Sequence, residues 1–295
     1  MPCCYPVVRR SPCGALGEMK VAMTPMRIGL VGCGNIGADI CIALQKRTIP
    51  AEVTALVDVD PERVSLFQRS FQLAAPACTL DEAAARCDFL VECAGMAGVK
   101  AVVETAMVHG LDCLVMSVGG LMTNPDVMEA AKAAGIQVRI PSGALCGLDG
   151  IRAAMEAGLH SVTLTTRKPP RGLAGAPHIV EQNINLDALR EPMVVFEGNA
   201  LDAVRAFPAN VNVAAALSLV GIGPLETRVR VIADPEATEN SHEVVAEGAF
   251  GRLCATTVNL PSPRNAKSSY LASLSAVVEL RAAAEAFARR ERTLG

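Results

Sequence analysis

The stretch RIGLVGCGNIGADI, residues 27–40, constrains the fold more than any other part of the chain. An apolar run leads directly into Gly32, Gly34 and Gly37, spaced GxGxxG, and a helix-forming segment follows. In that context the three glycines have separate jobs. Gly32 permits a tight turn, Gly34 lets backbone approach a pyrophosphate, and Gly37 allows close helix–strand contact. A helix starting at Asn35 and Ile36 offers free N–H groups and the positive end of its dipole to phosphate. A tight turn without a ligand is the bland alternative. Asp58 ends the next apolar run, 21 residues after Gly37. An acid there meets the adenosine ribose hydroxyls and repels a 2′-phosphate. Val59-Asp60-Pro61 supplies no Arg to hold such a phosphate, so NAD is expected, with NADP as the alternative. Asp60 reads as a helix cap ahead of Pro61.

The alternation continues downstream. EVTALVD (52–58), FLVECAG (89–95), CLVMSVG (113–119) and IQVRIPSG (136–143) are dense in Val, Ile and Leu, as strands buried on both faces are. Ala-rich helical stretches lie between them, including 81–85 and 124–134, the latter opened by Asn124-Pro125 as cap and first turn. This pattern predicts an α/β fold with a Rossmann-type doubly wound parallel sheet over residues 26–150. After Gly150 the texture changes. SVTLTTRK (161–168), PMVVFEG (192–198), TRVRVIAD (227–234), HEVVAEGAF (242–250) and RLCATTVNL (252–260) are strand-like, several alternating in period two. They predict a second α/β domain over 151–265, a mostly antiparallel sheet with helices near 202–205 and 211–219 on one face. Residues 266–295 predict a C-terminal helix that packs back on the core or on a partner subunit.

Composition removes several function classes. The 295 residues are 51% hydrophobic and 19% charged, enough apolar material for two packed cores. The net charge is −3, aromatics are 3% and Trp is absent, which argues against a nucleic-acid partner. No uncharged apolar run reaches the 18 or so residues a membrane span requires. The eleven cysteines are scattered, with no CxxC pair and no Cys/His metal spacing, as expected of free thiols in a reducing cytoplasm and of a chain without a metal site. Residues 1–25 carry Pro, Gly and Arg without an apolar face and read as a disordered extension, a transit-like segment being the alternative.

Three further segments could wall a cofactor cleft. PSGALCGLDG (141–150) has small residues that let backbone amides approach a ligand, or simply connects two domains. FPANVNVAAALSLVG (207–221) begins an apolar helix with two asparagines; Asn210 can cap it, which leaves the amide of Asn212 for a carboxamide. ENSHEVVAEGAF (239–250) holds His242, one of four histidines; alone, it is more readily a polar residue at a strand edge than an acid/base group.

Together these segments resemble the L-aspartate dehydrogenase family. GLVGCGNIG, VECAG, SVGGL, SGALCGLDG, TTRKPP, FPANVNVAAALSLVG, ADPEATENSHEVVAEGAFG and NAKSSYLASLSA carry the resemblance in order from Met26 to about Ala276. It implies a Rossmann domain joined to an α/β substrate domain, a homodimer, and NAD(P)-dependent oxidation of L-aspartate to iminosuccinate, which hydrolyses to oxaloacetate and ammonia or feeds quinolinate synthesis. It also implies that the Ala144 amide and Asn212 contact the nicotinamide side and that His242 is the catalytic histidine. His109, His160 and His178 read as surface helix ends or loops. The sequence departs from the family at Asn265-Ala266-Lys267, where Pro commonly follows Asn, and at Cys146, often Ala or Gly in relatives; neither change removes a reacting group.

With a ring pKa near working pH, His242 is expected to position and deprotonate the amine or the attacking water. Arg167 and Lys168 in TTRKPP are candidates for holding the substrate carboxylates, a solvated strand end being the alternative. Rival readings are a related two-domain NAD(P) enzyme, such as a dihydrodipicolinate reductase or homoserine dehydrogenase, and a dinucleotide-sensing regulator. The regulator would need no acid/base residue facing the nicotinamide.

Overall fold

The computed structural model describes residues 24–208 and 212–294. The extension expected over 1–25 falls outside them except for its last two residues, and so does the capping role expected of Asn210.

The first half alternates strand and helix: β1 (Met26–Val31), α1 (Asn35–Gln45), β2 (Ala51–Val57), α2 (Pro61–Phe71), α3 (Leu80–Ala84), β3 (Phe89–Glu92), α4 (Met96–His109), β4 (Asp112–Val115), α5 (Gly119–Met122), α6 (Asp126–Ala133) and β5 (Val138–Arg139). The strands pair in parallel in the order β2-β1-β3-β4-β5. All four residues of β3 are buried; Phe89, Leu90 and Val91 read as an apolar run, and Glu92 closes it. A single parallel bridge, Leu56 to Ala77, stands outside β2 where a third strand of the first half would lie. The chain crosses from one side of β1 to the other between β2 and β3, and a crevice opens at the carboxyl end of β1.

Local signals account for most helix starts. Asp60 caps α2, accepting from the Glu62 and Arg63 N–H groups at 3.0 and 3.3 Å. Thr79 and Glu82 form a capping box on α3. Asn124 departs from expectation: its side-chain amide turns back and donates to the Gly120 carbonyl at 2.9 Å, and α6 starts without a side-chain cap.

The second half comprises α7 (Leu148–Ala157), β6 (Leu159–Lys168), α8 (Pro177–Glu181), β7 (Met193–Asn199), α9 (Ala200–Ala206), α10 (Asn212–Val220), β8 (Thr227–Ala233), β9 (Asn240–Gly248), β10 (Gly251–Asn259), β11 (Pro261–Ser262), β12 (Asn265–Ser269) and α11 (Tyr270–Leu294). Its main sheet runs β10-β9-β6-β8-β7, antiparallel throughout except for the β6–β8 pair. Val162, Leu164, Thr166 and Lys168 of β6 face the buried side, where α7, α9 and α10 lie; Thr163, Thr165 and Arg167 face the other. The terminal helix α11 returns to the first sheet. Its Ala276, Leu280, Ala283 and Ala284 pack with Ile28, Leu30 and Ile40. Burial of a residue such as Leu280 contributes about 1.5–3 kcal/mol.

Glu92, at the end of β3, is fully buried. Its carboxylate accepts from the Ala94 and Gly95 N–H groups at 2.8 and 2.9 Å, and from the N–H and hydroxyl of Ser117, both at 2.9 Å. It thereby fastens the turn after β3 to the turn after β4, beside the crevice. Replacing it by an isosteric amide puts an NH2 group against backbone donors. Glu92→Gln is therefore expected to lose about 2–4 kcal/mol of stability. Urea unfolding at constant m-value checks this; a midpoint equal to that of the parent protein would rule out the bracing role.

Candidate active site

The glycine turn has the shape its spacing predicts. Gly32 adopts φ +103°, and a Cβ there would lie 2.5 Å from the Cys93 carbonyl oxygen. A Cβ at Gly34 would meet nothing within 4 Å, so this backbone borders open space. Helix α1 begins immediately after it, with no side-chain cap and no acid in its first turn. Eleven residues of helix dipole and uncapped N–H groups of Asn35 and Ile36 thus face that space, and they fit a pyrophosphate. Asp58 is drawn inward: its carboxylate accepts from the Cys33 N–H at 2.9 Å and the Asp60 N–H at 3.0 Å. Arg63, one helical turn into α2, donates to Asp58 at 3.3 Å and is half exposed. A cation therefore stands at this edge, just beyond Val59-Asp60-Pro61.

Ile36 of the same turn lines a cleft of ≈ 730 Å³ of empty space, counting its open mouth, between the two sheets. Ala144, Asn212, His242 and Lys168 line it too, drawn from four separate stretches of sequence. Asn212 starts α10, and its side-chain oxygen accepts from the Gly119 N–H at 3.2 Å, which leaves the amide NH2 for a ligand. The Ala144 carbonyl accepts from Thr257 at 2.8 Å and from Asn259 at 3.2 Å, and Ser269 in turn donates to Asn259 at 2.9 Å. Those bonds fix the peptide from behind. Asn240, Ser268 and Ser269 also line the cleft and were missed from sequence. Asn240 was within reach, since it shares a strand face with His242 two residues on.

His242 is 4% exposed and lies on β9 directly opposite Thr166 of β6. Thr166 Oγ1 and His242 Nδ1 are 3.0 Å apart. Arg167 and Lys168 separate cleanly. Lys168 is 5% exposed and enters the cleft, whereas Arg167 projects to the opposite face and pairs with Asp234 at 2.7 Å. Strand alternation thus removes Arg167 as a carboxylate clamp in this cleft. His178 lies at the start of α8 as a helix end; its ring packs against Phe196 and Phe207 and its Nε2 is 3.0 Å from the Val195 carbonyl oxygen. Cys146 is exposed and does not line the cleft. Among the described residues, no cluster of three or more His, Cys, Asp or Glu could hold a metal, and no helix is long and apolar enough to cross a membrane.

A family model described as aspartate dehydrogenase, C-terminal, matches residues 149–283, and one described as homoserine dehydrogenase, NAD binding domain, matches residues 32–141. The chain is 46% identical over 260 residues to the L-aspartate dehydrogenase of Methanosarcina barkeri, a match covering 87% of this chain and 96% of that one. Against the L-aspartate dehydrogenase of Bradyrhizobium diazoefficiens it is 39% identical over 262 residues, covering 89% and 93%. Among solved structures, the aspartate dehydrogenase of Thermotoga maritima is similar in fold, with a TM-score of 0.64 at 21% identity over 86% of this chain and 93% of that one.

Burial sets the charge state of the cleft. Loss of hydration, with a smaller push from the Lys168 charge, lowers the His242 imidazole to about 3. Loss of hydration alone lowers the Lys168 ammonium to about 8. For His242 the unfolded chain binds the proton near the ordinary 6.5 and the folded chain does not until about 3. The unfolded state therefore holds more protons in that window, and stability falls as pH drops through it, by up to about 1.4 kcal/mol per pH unit. Urea unfolding at pH 7 and pH 5 should show the parent protein losing about 2 kcal/mol more than His242→Asn. Parallel losses in the two proteins would mean that the folded imidazole takes up its proton normally.

Proposed function

The chain belongs to the L-aspartate dehydrogenase family, and on that premise we propose that it oxidises L-aspartate to iminosuccinate, which hydrolyses to oxaloacetate and ammonia and can feed pyridine nucleotide synthesis. The observation that carries this reading is the convergence of Ile36, Ala144, Asn212, Lys168 and His242 on one cleft. The dinucleotide, when bound, supplies the hydride acceptor. The turn from Gly32 to Gly37, with Asn35 and Ile36, holds its pyrophosphate, and Asp58 takes the adenosine ribose. The Ala144 N–H and the Asn212 NH2 would hold its carboxamide.

His242 is the catalytic histidine. Neutral at working pH, it holds the amine or the attacking water with one ring nitrogen while Thr166 orients the other. Lys168, with Asn240 and Ser269 beside it, meets the carboxylates. NAD is the preferred dinucleotide because Asp58 disfavours a 2′-phosphate; Arg63 partly offsets that repulsion and lets NADP serve less efficiently. The assembly is a homodimer formed through the face of the second sheet that carries Thr163, Thr165 and Val245, which is only half-buried among the described residues. A cytoplasmic setting fits the eight free thiols among the described residues.

Mixing the protein with NAD and L-aspartate at mildly alkaline pH should raise NADH absorbance, with a smaller signal from NADP and none from other amino acids. His242→Ala should lower turnover about 10²–10⁴-fold and leave dinucleotide affinity unchanged. Dinucleotide binding without turnover of any amino acid would overturn the reading in favour of a sensing regulator.

A further inference from the structure

Oxidation of an amine requires a lone pair on nitrogen before the hydride leaves Cα. An amino acid arrives as its ammonium, so the cleft must contain a proton acceptor within reach. Among the described residues that line it, only Lys168 and His242 titrate. They sit side by side. β9 pairs with β6 so that His242 opposes Thr166, and Arg167 opposes Ser241. Continuing that register by one residue puts Lys168 opposite Asn240. Lys168 shares its strand face with Thr166, and its side chain enters the cleft beside the imidazole.

We infer that Lys168 is the catalytic base that takes the proton from the substrate ammonium, beside a neutral His242. The inference rests on the reading of the cleft as an amino-acid oxidation site and names the residue that reading leaves open. In the step, one N–H bond of the substrate ammonium breaks and its electron pair stays on nitrogen. A new N–H bond forms at Lys168 Nζ, and the positive charge moves with the proton. The amine becomes neutral, and Lys168 becomes the cation beside the two carboxylates, so the transfer also improves substrate binding.

The order of basicity supports this assignment. Burial leaves Lys168 near 8, within reach of working pH, while His242 near 3 is too weak a base to hold a proton there. A dianionic substrate raises both groups together and leaves their order unchanged. The other charged groups around Lys168 among the described residues are Glu239, in the turn before β9, and Arg171, in the loop after β6; both line a second cavity that shares Lys168 and Asn240 with the cleft. Asp234, beyond β8, is committed to Arg167 on the far face.

The test is the pH dependence of kcat/KM for L-aspartate with NAD in the parent protein, Lys168→Arg and Lys168→Ala, dinucleotide affinity being measured in each as the check on folding. The parent should rise to a plateau with an apparent pKa near 8. Lys168→Arg keeps a cation that cannot deprotonate. It should lose about 10²–10⁴-fold in kcat with a smaller change in KM, and its rate should keep rising toward the pKa of the free amino acid. Added primary amines should restore Lys168→Ala in order of their basicity. Lys168→Arg within threefold of the parent with an unchanged profile would overturn the proposal and leave Lys168 as a carboxylate anchor. Loss of the limb near 8 in His242→Gln but not in Lys168→Arg would overturn it too and make the imidazole the base. Should neither lysine variant bind dinucleotide, the temperature dependence of the limb in the parent decides, being steep for an amine and shallower for an imidazole. No turnover of L-aspartate by the parent would instead sink the underlying reading of the cleft.

Discussion

The cleft is organised by the removal of one ammonium group from water. Lys168 is 5% exposed at the end of β6, among Val213, Leu164 and the loop of Pro169 and Gly172. Hydration of a cation is worth enough that such a position is unfavourable unless neighbours compensate or the group can shed its proton. Here it sheds it within the working range. The same burial, and the charge of Lys168 itself, keeps His242 neutral. Burial lowers both groups and keeps their order, one near 8 and the other near 3, so only Lys168 exchanges its proton in the working range.

The donors expected to hold the carboxamide are aimed by atoms outside their own segments. Asn212 lies on the second half of the chain, yet its side-chain oxygen is held by the Gly119 N–H of the first. Gly119 follows Ser117, which is bound to the buried Glu92. Ala144 is held from behind by Thr257 and Asn259 of β10, and Ser269 extends that chain toward α11. Asn212 is therefore positioned from the opposite wall, and the loop that carries Ala144 is anchored through its carbonyl, so a ligand between the walls meets segments held in place before it arrives.

The glycine turn was legible because its information is local: three glycines at set spacing, an apolar run before and a helix after. The parallel strands were legible for a similar reason, since burial on both faces leaves a continuous apolar run. The parallel β6–β8 pair inside a sheet expected to be mostly antiparallel was less so, because pairing partners are chosen by tertiary contacts that period-two alternation does not encode. Arg63 lies beyond Val59-Asp60-Pro61, and only the turn of α2, which linear spacing does not show, brings it back to Asp58. The basicity of His242 was misjudged because the ordinary value near 6.5 belongs to a solvated ring, and nothing in ENSHEVV states how deeply it is buried.

Arg167 and Lys168 show how sharply the site depends on register. Adjacent residues on a strand point to opposite faces, so the dipeptide alone leaves open which cation enters the cleft. The pairing of Thr166 with His242 decides it. A slip of one residue along β6 would bring Arg167, with a guanidinium that stays protonated, into a space built around a side chain that can lose its proton. It would also put Lys168 beside Asp234, where it would remain an ordinary surface cation. Buried Val162 and Leu164 resist the slip, since it would turn both toward the half-buried face. The apolar pattern that stabilises the second sheet is thus the same constraint that selects which basic residue is available for chemistry.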